Sequence, residues 1–197
     1  MKAQSSMLPV IVGILVAIIA VGVSVYAYYE YQVLSAPTPT VTSTSTSTSS
    51  QIPLNNNSAN KTVFLTIAVL TSGPTFNFNG TSNGQLKIYI PAGWSVYVKF
   101  VNEQSLPHNL ILLQNTTATP SNPDVGQFGK ILYVVGASTS NYQTSGISSG
   151  QLDSGLWGPL NAGTYMLVCG ILGHAQSGMW AVVIVSSNVT TPYATTS

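Results

Sequence analysis

The one cysteine of this chain, Cys169, is followed by His174 and then by Met179, in the run Cys169-Gly-Ile-Leu-Gly-His174-Ala-Gln-Ser-Gly-Met179. Four residues separate each donor from the next. Thiolate, imidazole and thioether are soft ligands, which select copper over hard cations. The only other histidine, His108, stands in Leu106-Pro107-His108-Asn109. Two imidazoles, a thiolate and a weak axial thioether make the donor set of a mononuclear copper site that exchanges single electrons. Asn109, beside one of these donors, could offer its backbone N–H to the thiolate and its side chain to tie the ligand loops together.

Taken singly, each donor has a plainer explanation. A lone cysteine is often a small buried hydrophobe, Met179 beside Trp180 fits a core, and either histidine fits a satisfied polar residue. Together they fit ligation better, because the single cysteine, a histidine and a methionine share one short loop after an apolar strand. Zinc is the competing metal. A thioether suits zinc poorly, and no second Cys, Asp or Glu lies near the loop. A Cys–His nucleophilic pair is the catalytic alternative, but nothing else in the chain suggests a peptidase or peroxidase.

The elements that must position these donors follow a period of two. Expected strands are residues 62–70, 85–90, 95–102, 108–114, 130–135, 164–168 and 179–185, with Gly, Pro and Asn between them. Val96, Val98 and Phe100 share one face of the third. Several short strands punctuated by turns indicate an all-β sandwich or barrel, and no convincing amphipathic helix appears. Cys169 then closes one strand and Met179 opens the next, with Gly170, Gly173 and Gly178 in the connecting loop. The stretch from Thr116 to Asn161 is rich in Ser and Gly, and long loops are expected there.

Charge is scarce. Five Lys, four acids and no Arg leave 5% of the chain charged, against about 25% in typical domains. There is no basic field for nucleic acid. A surface of Ser, Thr, Asn, Gln and Tyr has few carboxylates to protonate, which is compatible with an acidic exterior. A single cysteine excludes an internal disulfide and leaves a reactive thiol, an intermolecular bridge or a metal ligand.

Residues 8–29 carry no charge and are long enough to span a hydrocarbon core of about 30 Å as one helix. Lys2 precedes this run and Glu30 follows it, so residues 1–7 are expected in the cytoplasm and the rest outside. A cleaved signal peptide is the competing reading, but its apolar region would be shorter. Residues 30–60 are dominated by Ser, Thr, Pro and Asn and read as a stalk. The expected domain is 61–187, with a flexible tail at 188–197. Sequons at Asn56, Asn60, Asn79, Asn115 and Asn188 fit a glycoprotein surface outside the cell.

The Cys-x4-His-x4-Met loop, the Pro107-His108-Asn109 run, the anchor and the stalk resemble the cupredoxins, the blue-copper family. More narrowly, they resemble the membrane-attached sulfocyanins of thermoacidophilic archaea. That resemblance implies a Greek-key β-sandwich of the cupredoxin type, preceded by one transmembrane helix. It implies one type 1 copper ion, cycling between Cu(I) and Cu(II), on His108, Cys169, His174 and Met179, with both imidazoles bonding through Nδ1. It implies an electron carrier, not an enzyme, with no small-molecule substrate. The expected partners are a cytochrome-containing donor and a terminal-oxidase acceptor of an aerobic respiratory chain. The alternative is an extracytoplasmic copper-binding or storage protein. Its usual Met-rich or His-rich runs are missing.

Overall fold

Alternation decides the two packed faces. In the computed structural model, which describes residues 50–197, the strand Thr62–Val69 buries Val63, Leu65, Ile67 and Val69 and turns Phe64 and Thr66 outward. Ser95–Asn102 does the same with Val96, Val98, Phe100 and Asn102. β-Branched and aromatic residues at every second position suit a half-buried pleated surface.

The strands in chain order are β1 (Ile52–Pro53), β2 (Asn56–Asn57), β3 (Thr62–Val69), β4 (Leu86–Pro91), β5 (Ser95–Asn102), β6 (Leu110–Asn115), β7 (Gly129–Val135), β8 (Leu152–Trp157), β9 (Gly163–Val168), β10 (Trp180–Ser186) and β11 (Tyr193–Thr196). They form a seven-stranded sheet, β1-β11-β4-β10-β9-β6-β7, and a four-stranded sheet, β2-β3-β5-β8. β4 pairs β10, and β3 pairs β5, in parallel; the other pairs are antiparallel. The chain passes from one sheet to the other between β1 and β2, β3 and β4, β4 and β5, β5 and β6, β7 and β8, and β8 and β9. Those crossings close the all-β sandwich that the alternation calls for. Among the described residues the one helical element is a short 3-10 turn, Val125–Gln127.

β6 and β9 depart from alternation. Leu110, Ile111, Leu112 and Leu113 are all buried, as are Tyr165, Met166, Leu167 and Val168. Both strands lie inside the larger sheet with protein on both faces, so a continuous apolar run replaces the two-residue pattern. The inner face packs into the main core. On the outer face Ile111, Leu113, Met166 and Val168 meet Val125, Phe128 and Ala175 in a second cluster.

The seven expected strands correspond to β3, β4, β5, β6, β7, β9 and β10 within a residue or two. β8 lies in the stretch read as long loops. It is a largely exposed edge strand with the sequence Leu-Asp-Ser-Gly-Leu-Trp, so no buried face imprints a period on it. The expected limits at 61 and 187 are too narrow. β1 and β2 lie within the expected stalk, and β11 lies in the expected flexible tail. β1 pairs β11, β11 pairs β4, and Tyr193 stacks on Tyr89 with ring centroids 4.4 Å apart. Strands of two to four residues are too short for alternation to show, and their partners lie far away in sequence. The expected segments 1–7 and 8–29, and the stalk up to residue 49, lie outside the described residues.

A chain stopped after Ser187 lacks β11 and uncovers one edge of β4. It should lose more than about 1 kcal/mol in denaturant unfolding. An unchanged midpoint would restore the reading of residues 188–197 as a free tail.

Candidate metal centre

The strand register brings the donors together. β6 and β9 pair antiparallel with Ile111 opposite Val168, so the next residues outward place Asn109 across from Gly170. β9 and β10 pair with Val168 opposite Trp180, and Cys169 N–H donates to the Met179 carbonyl at 3.1 Å. Cys169, Met179 and the strand leading from His108 therefore converge at one end of the larger sheet.

His108 is held from both sides. Its N–H donates to the Ile147 carbonyl at 3.2 Å, and Ile147 N–H donates back at 2.8 Å. Gly146 lies flat against this backbone: a Cβ there would come within 2.5 Å of the His108 carbonyl oxygen. Only glycine permits that approach. Between Cys169 and Met179 the loop curls on itself. His174 N–H donates to Ile171 (3.0 Å) and Met179 N–H to His174 (3.1 Å). Gly173 and Gly178 take positive φ of 81° and 108°, which reverses the chain inside so short a loop.

The result is a cluster of His108, Cys169 and His174 whose ligand atoms lie within 4.8 Å of one another. Cys169 Sγ stands 3.8 Å from His108 Nδ1 and 3.5 Å from His174 Nδ1. Nitrogen and sulfur ligands bond a small transition-metal ion at about 2.0–2.3 Å, so around one ion they stand about 3.5–3.8 Å apart. The observed spans match that requirement. Both imidazoles turn Nδ1 to the sulfur, as the resemblance implies. Met179 is fully buried in the same core cluster as Cys169.

Surrounding groups fix the rings. His108 Nε2 lies 3.2 Å from Gln104 Oε1, and Gln104 Nε2 donates to the Leu70 carbonyl at 2.7 Å. The amide is thereby oriented with its oxygen toward the ring, so Nε2 carries the proton and Nδ1 keeps its lone pair for a metal. The His174 ring packs against Phe76, with centroids 4.7 Å apart, and against His108 at 5.1 Å. Asn109 has the double role expected of it. Its backbone N–H, with that of Ile171, reaches the Cys169 sulfur. Its side chain accepts from Gly170 N–H and donates to the Tyr142 and Ser145 carbonyls, each at 2.7 Å. Gln104, Phe76 and Gly146 are the contributors that sequence reasoning missed. Nothing in their spacing marks them, because they reach the site through loops that have no period.

Without metal the cluster is uncharged at neutral pH. Burial, and then repulsion from His174, push the His108 imidazole down to about 4 from an ordinary 6.5. Burial also lowers His174. Burial pushes the Cys169 thiol up to about 11, despite the two N–H groups that favour its anion. A metal binding here must displace the thiol proton and finds both imidazoles already deprotonated.

Residues 49–196 match the family model described as the sulfocyanin (SoxE) domain, and residues 1–48 match the one described as sulfocyanin, N-terminal. The sulfocyanin of Sulfolobus acidocaldarius is 67% identical over 196 residues, 98% of each chain. The chain belongs to the sulfocyanin family. Solved structures that match include reduced rusticyanin, 26% identical over 64% of this chain and 79% of that one, with a TM-score of 0.49. Auracyanin A, a "blue" copper protein from Chloroflexus aurantiacus, is 19% identical over 63% of this chain and 98% of its own, with a TM-score of 0.43. Sulfocyanin membership and the His, Cys, His donor set together make this a site for one type 1 copper ion, in a blue-copper electron carrier.

Two outcomes follow from the geometry. Asn109→Ala leaves the buried Gly170 N–H and two carbonyls without partners, and should cost more than about 3 kcal/mol in unfolding of the metal-free protein. A cost near zero would show that water replaces the carboxamide. For His108, the unfolded chain takes up a proton near pH 6.5 and the folded chain only near 4. Metal-free stability should therefore fall as pH drops through that window and level off below it. The ring protons of His108, followed by NMR, should titrate with a midpoint near 4, and a midpoint near 6.5 would contradict the burial argument.

Proposed function

We propose that this sulfocyanin carries single electrons at the outer face of the cytoplasmic membrane and delivers them to a terminal-oxidase complex, on one copper ion held by His108, Cys169, His174 and Met179. One observation carries the assignment of the two histidines and the cysteine: two Nδ1 atoms and one Sγ converge within 4.8 Å, with His108 and Cys169 buried and His174 partly so, the one such group among the described residues. Copper on such donors supplies a one-electron couple between Cu(I) and Cu(II).

The protein's part is to keep the donors still. Cys169 N–H on the Met179 carbonyl and Met179 N–H on the His174 carbonyl close the loop on itself, so the loop backbone is fixed before metal arrives. The Asn109 and Ile171 N–H groups direct positive dipoles at the sulfur and stabilise its anion. Met179, buried and backbone-paired to Cys169, would supply the weak thioether. His174 is only partly buried, and Leu172 beside it is 50% exposed. A redox partner can approach the centre there without charge pairing, in keeping with a chain that has so few charges. The membrane location rests on the uncharged run at residues 8–29, and the oxidase partner on the family resemblance.

Copper-loaded protein should show an intense visible thiolate-to-Cu(II) band that disappears on reduction. Cys169→Ser should abolish it, because a hydroxyl cannot replace the soft thiolate. Met179→Leu should keep the copper and the colour while shifting the potential in voltammetry. An unshifted potential would remove Met179 from the ligand set. Adding the reduced protein to membranes with an active terminal oxidase should drive copper-dependent oxygen uptake. A blue protein that drives none would favour storage over electron delivery.

A further inference from the structure

Away from the metal cluster, one of the chain's four acids sits at the hub of a closed hydrogen-bond circuit. Asp124 Oδ1 accepts from Tyr142 Oη at 2.8 Å and from Gly126 N–H at 2.9 Å. Its Oδ2 accepts from Gln143 Nε2 at 2.9 Å, with Gln127 Nε2 at 3.5 Å. The carboxylate thus grips two consecutive side chains, of Tyr142 and Gln143. The backbone of those two residues supports both ligand-bearing segments. The Tyr142 carbonyl accepts from Asn109, the neighbour of His108, at 2.7 Å. The Gln143 carbonyl accepts from Leu172 N–H at 3.1 Å, inside the Cys169–His174 loop. Gly173 N–H donates to the Pro123 carbonyl, next to Asp124, also at 3.1 Å. The Tyr142 ring closes over Gly170, where a Cβ would come within 2.8 Å of it.

We propose that Asp124 is a positioning residue for the metal centre: through Tyr142 and Gln143 its carboxylate fixes both the His108–Asn109 segment and the Cys169–His174 loop. The metal part of this inference rests on the copper reading above. Chemically, a carboxylate suits the task because it is acceptor-only, and its two oxygens can hold several donors at once. Charge-assisted bonds of this kind are about twice as strong as neutral ones. Burial works to raise the Asp124 carboxyl, but the bonds from Tyr142, Gly126, Gln127 and Gln143 outweigh it and hold it below the ordinary carboxylate value. The hub stays anionic in mildly acidic surroundings. It touches neither copper nor a ligand side chain and acts only through the loops.

The test is amide hydrogen exchange on the full chain without metal, followed by copper loading. Asp124→Ala should speed exchange at Gly170, Leu172 and Gly173 by at least about tenfold while amides in β5, such as Val98 and Phe100, stay within about twofold. Tyr142→Phe, which keeps the ring and removes one bond, should do the same more weakly. Asp124→Asn with Gln143→Glu exchanges donor and acceptor across the 2.9 Å contact and should restore slow exchange at Leu172. With copper bound, Asp124→Ala should release metal to a chelator at least about tenfold faster and alter the copper EPR hyperfine splitting. Exchange unchanged at the three loop amides, or raised equally in β5, would overturn the proposal. So would faster loop exchange with an unaltered copper signature. If the wild-type protein showed no thiolate–copper band, the copper reading would fall while the exchange arm still decided the bracing.

Discussion

The bond from Gly170 N–H to Asn109 Oδ1, 2.7 Å long and buried, holds the site together. It joins the two segments that bear the donors just beyond the point where regular β6–β9 pairing ends. Inside the sheet, backbone bonds hold Ile111 against Val168. At Asn109 and Gly170 a side chain takes over that role, and this frees the Asn109 backbone N–H for the Cys169 sulfur. An ordinary ladder bond at this position would direct that N–H to a carbonyl and deprive the thiolate of a donor. The carboxamide therefore keeps the strands closed while turning the backbone toward the metal.

The energetic problem at such a site is the burial of charge. A thiolate placed without a partner in an apolar core carries a large desolvation cost, and two imidazolium ions would repel each other there. The fold avoids both by keeping the metal-free donors neutral, with the thiol pushed up and the imidazoles pushed down. Charge appears inside only when a cation arrives to neutralise it. The same economy of charge runs through the chain, whose charged residues make up 5% of the total. A surface of hydroxyl and amide groups has little to titrate, so pH acts on the metal-free protein chiefly through the buried donors.

How much of this was legible depended on whether a residue's neighbours lie close in sequence or only in space. β3 and β5 were plain because one face of each is buried, and Val63, Leu65, Ile67 and Val96, Val98, Phe100 alternate accordingly. The Cys169–Met179 loop was legible because a single hairpin-like connection contains three candidate donors. His108 could be paired with it because the chain has no other spare histidine. Gln104, Phe76 and Asp124 were not legible. Gln104 is close to His108 in sequence, but the Leu70 carbonyl that orients it is not, and Phe76 and Asp124 meet His174, Tyr142 and Gln143 only through the fold. An isolated Gln or Asp in an aperiodic loop looks like any solvated residue. β8 and β11 escaped for a related reason, since neither has a run of alternating buried positions long enough to leave a pattern.

The second packing layer shows why the long connection between β6 and β9 cannot be treated as loose. β6 and β9 expose apolar residues on their outer face, and Val125, Phe128 and Ala175 cover them. Val125 belongs to the turn capped by Asp124, whose carboxylate also grips Tyr142 and Gln143. Ala175 directly follows His174, and is fully buried. Covering the sheet and bracing the ligand loop are thus performed by the same few residues. Removing the cover would expose Ile111 and Val168 to water and release His174 at the same time. In a sandwich with one site at one end, core packing outside the sheet and preorganisation of the metal donors are a single constraint.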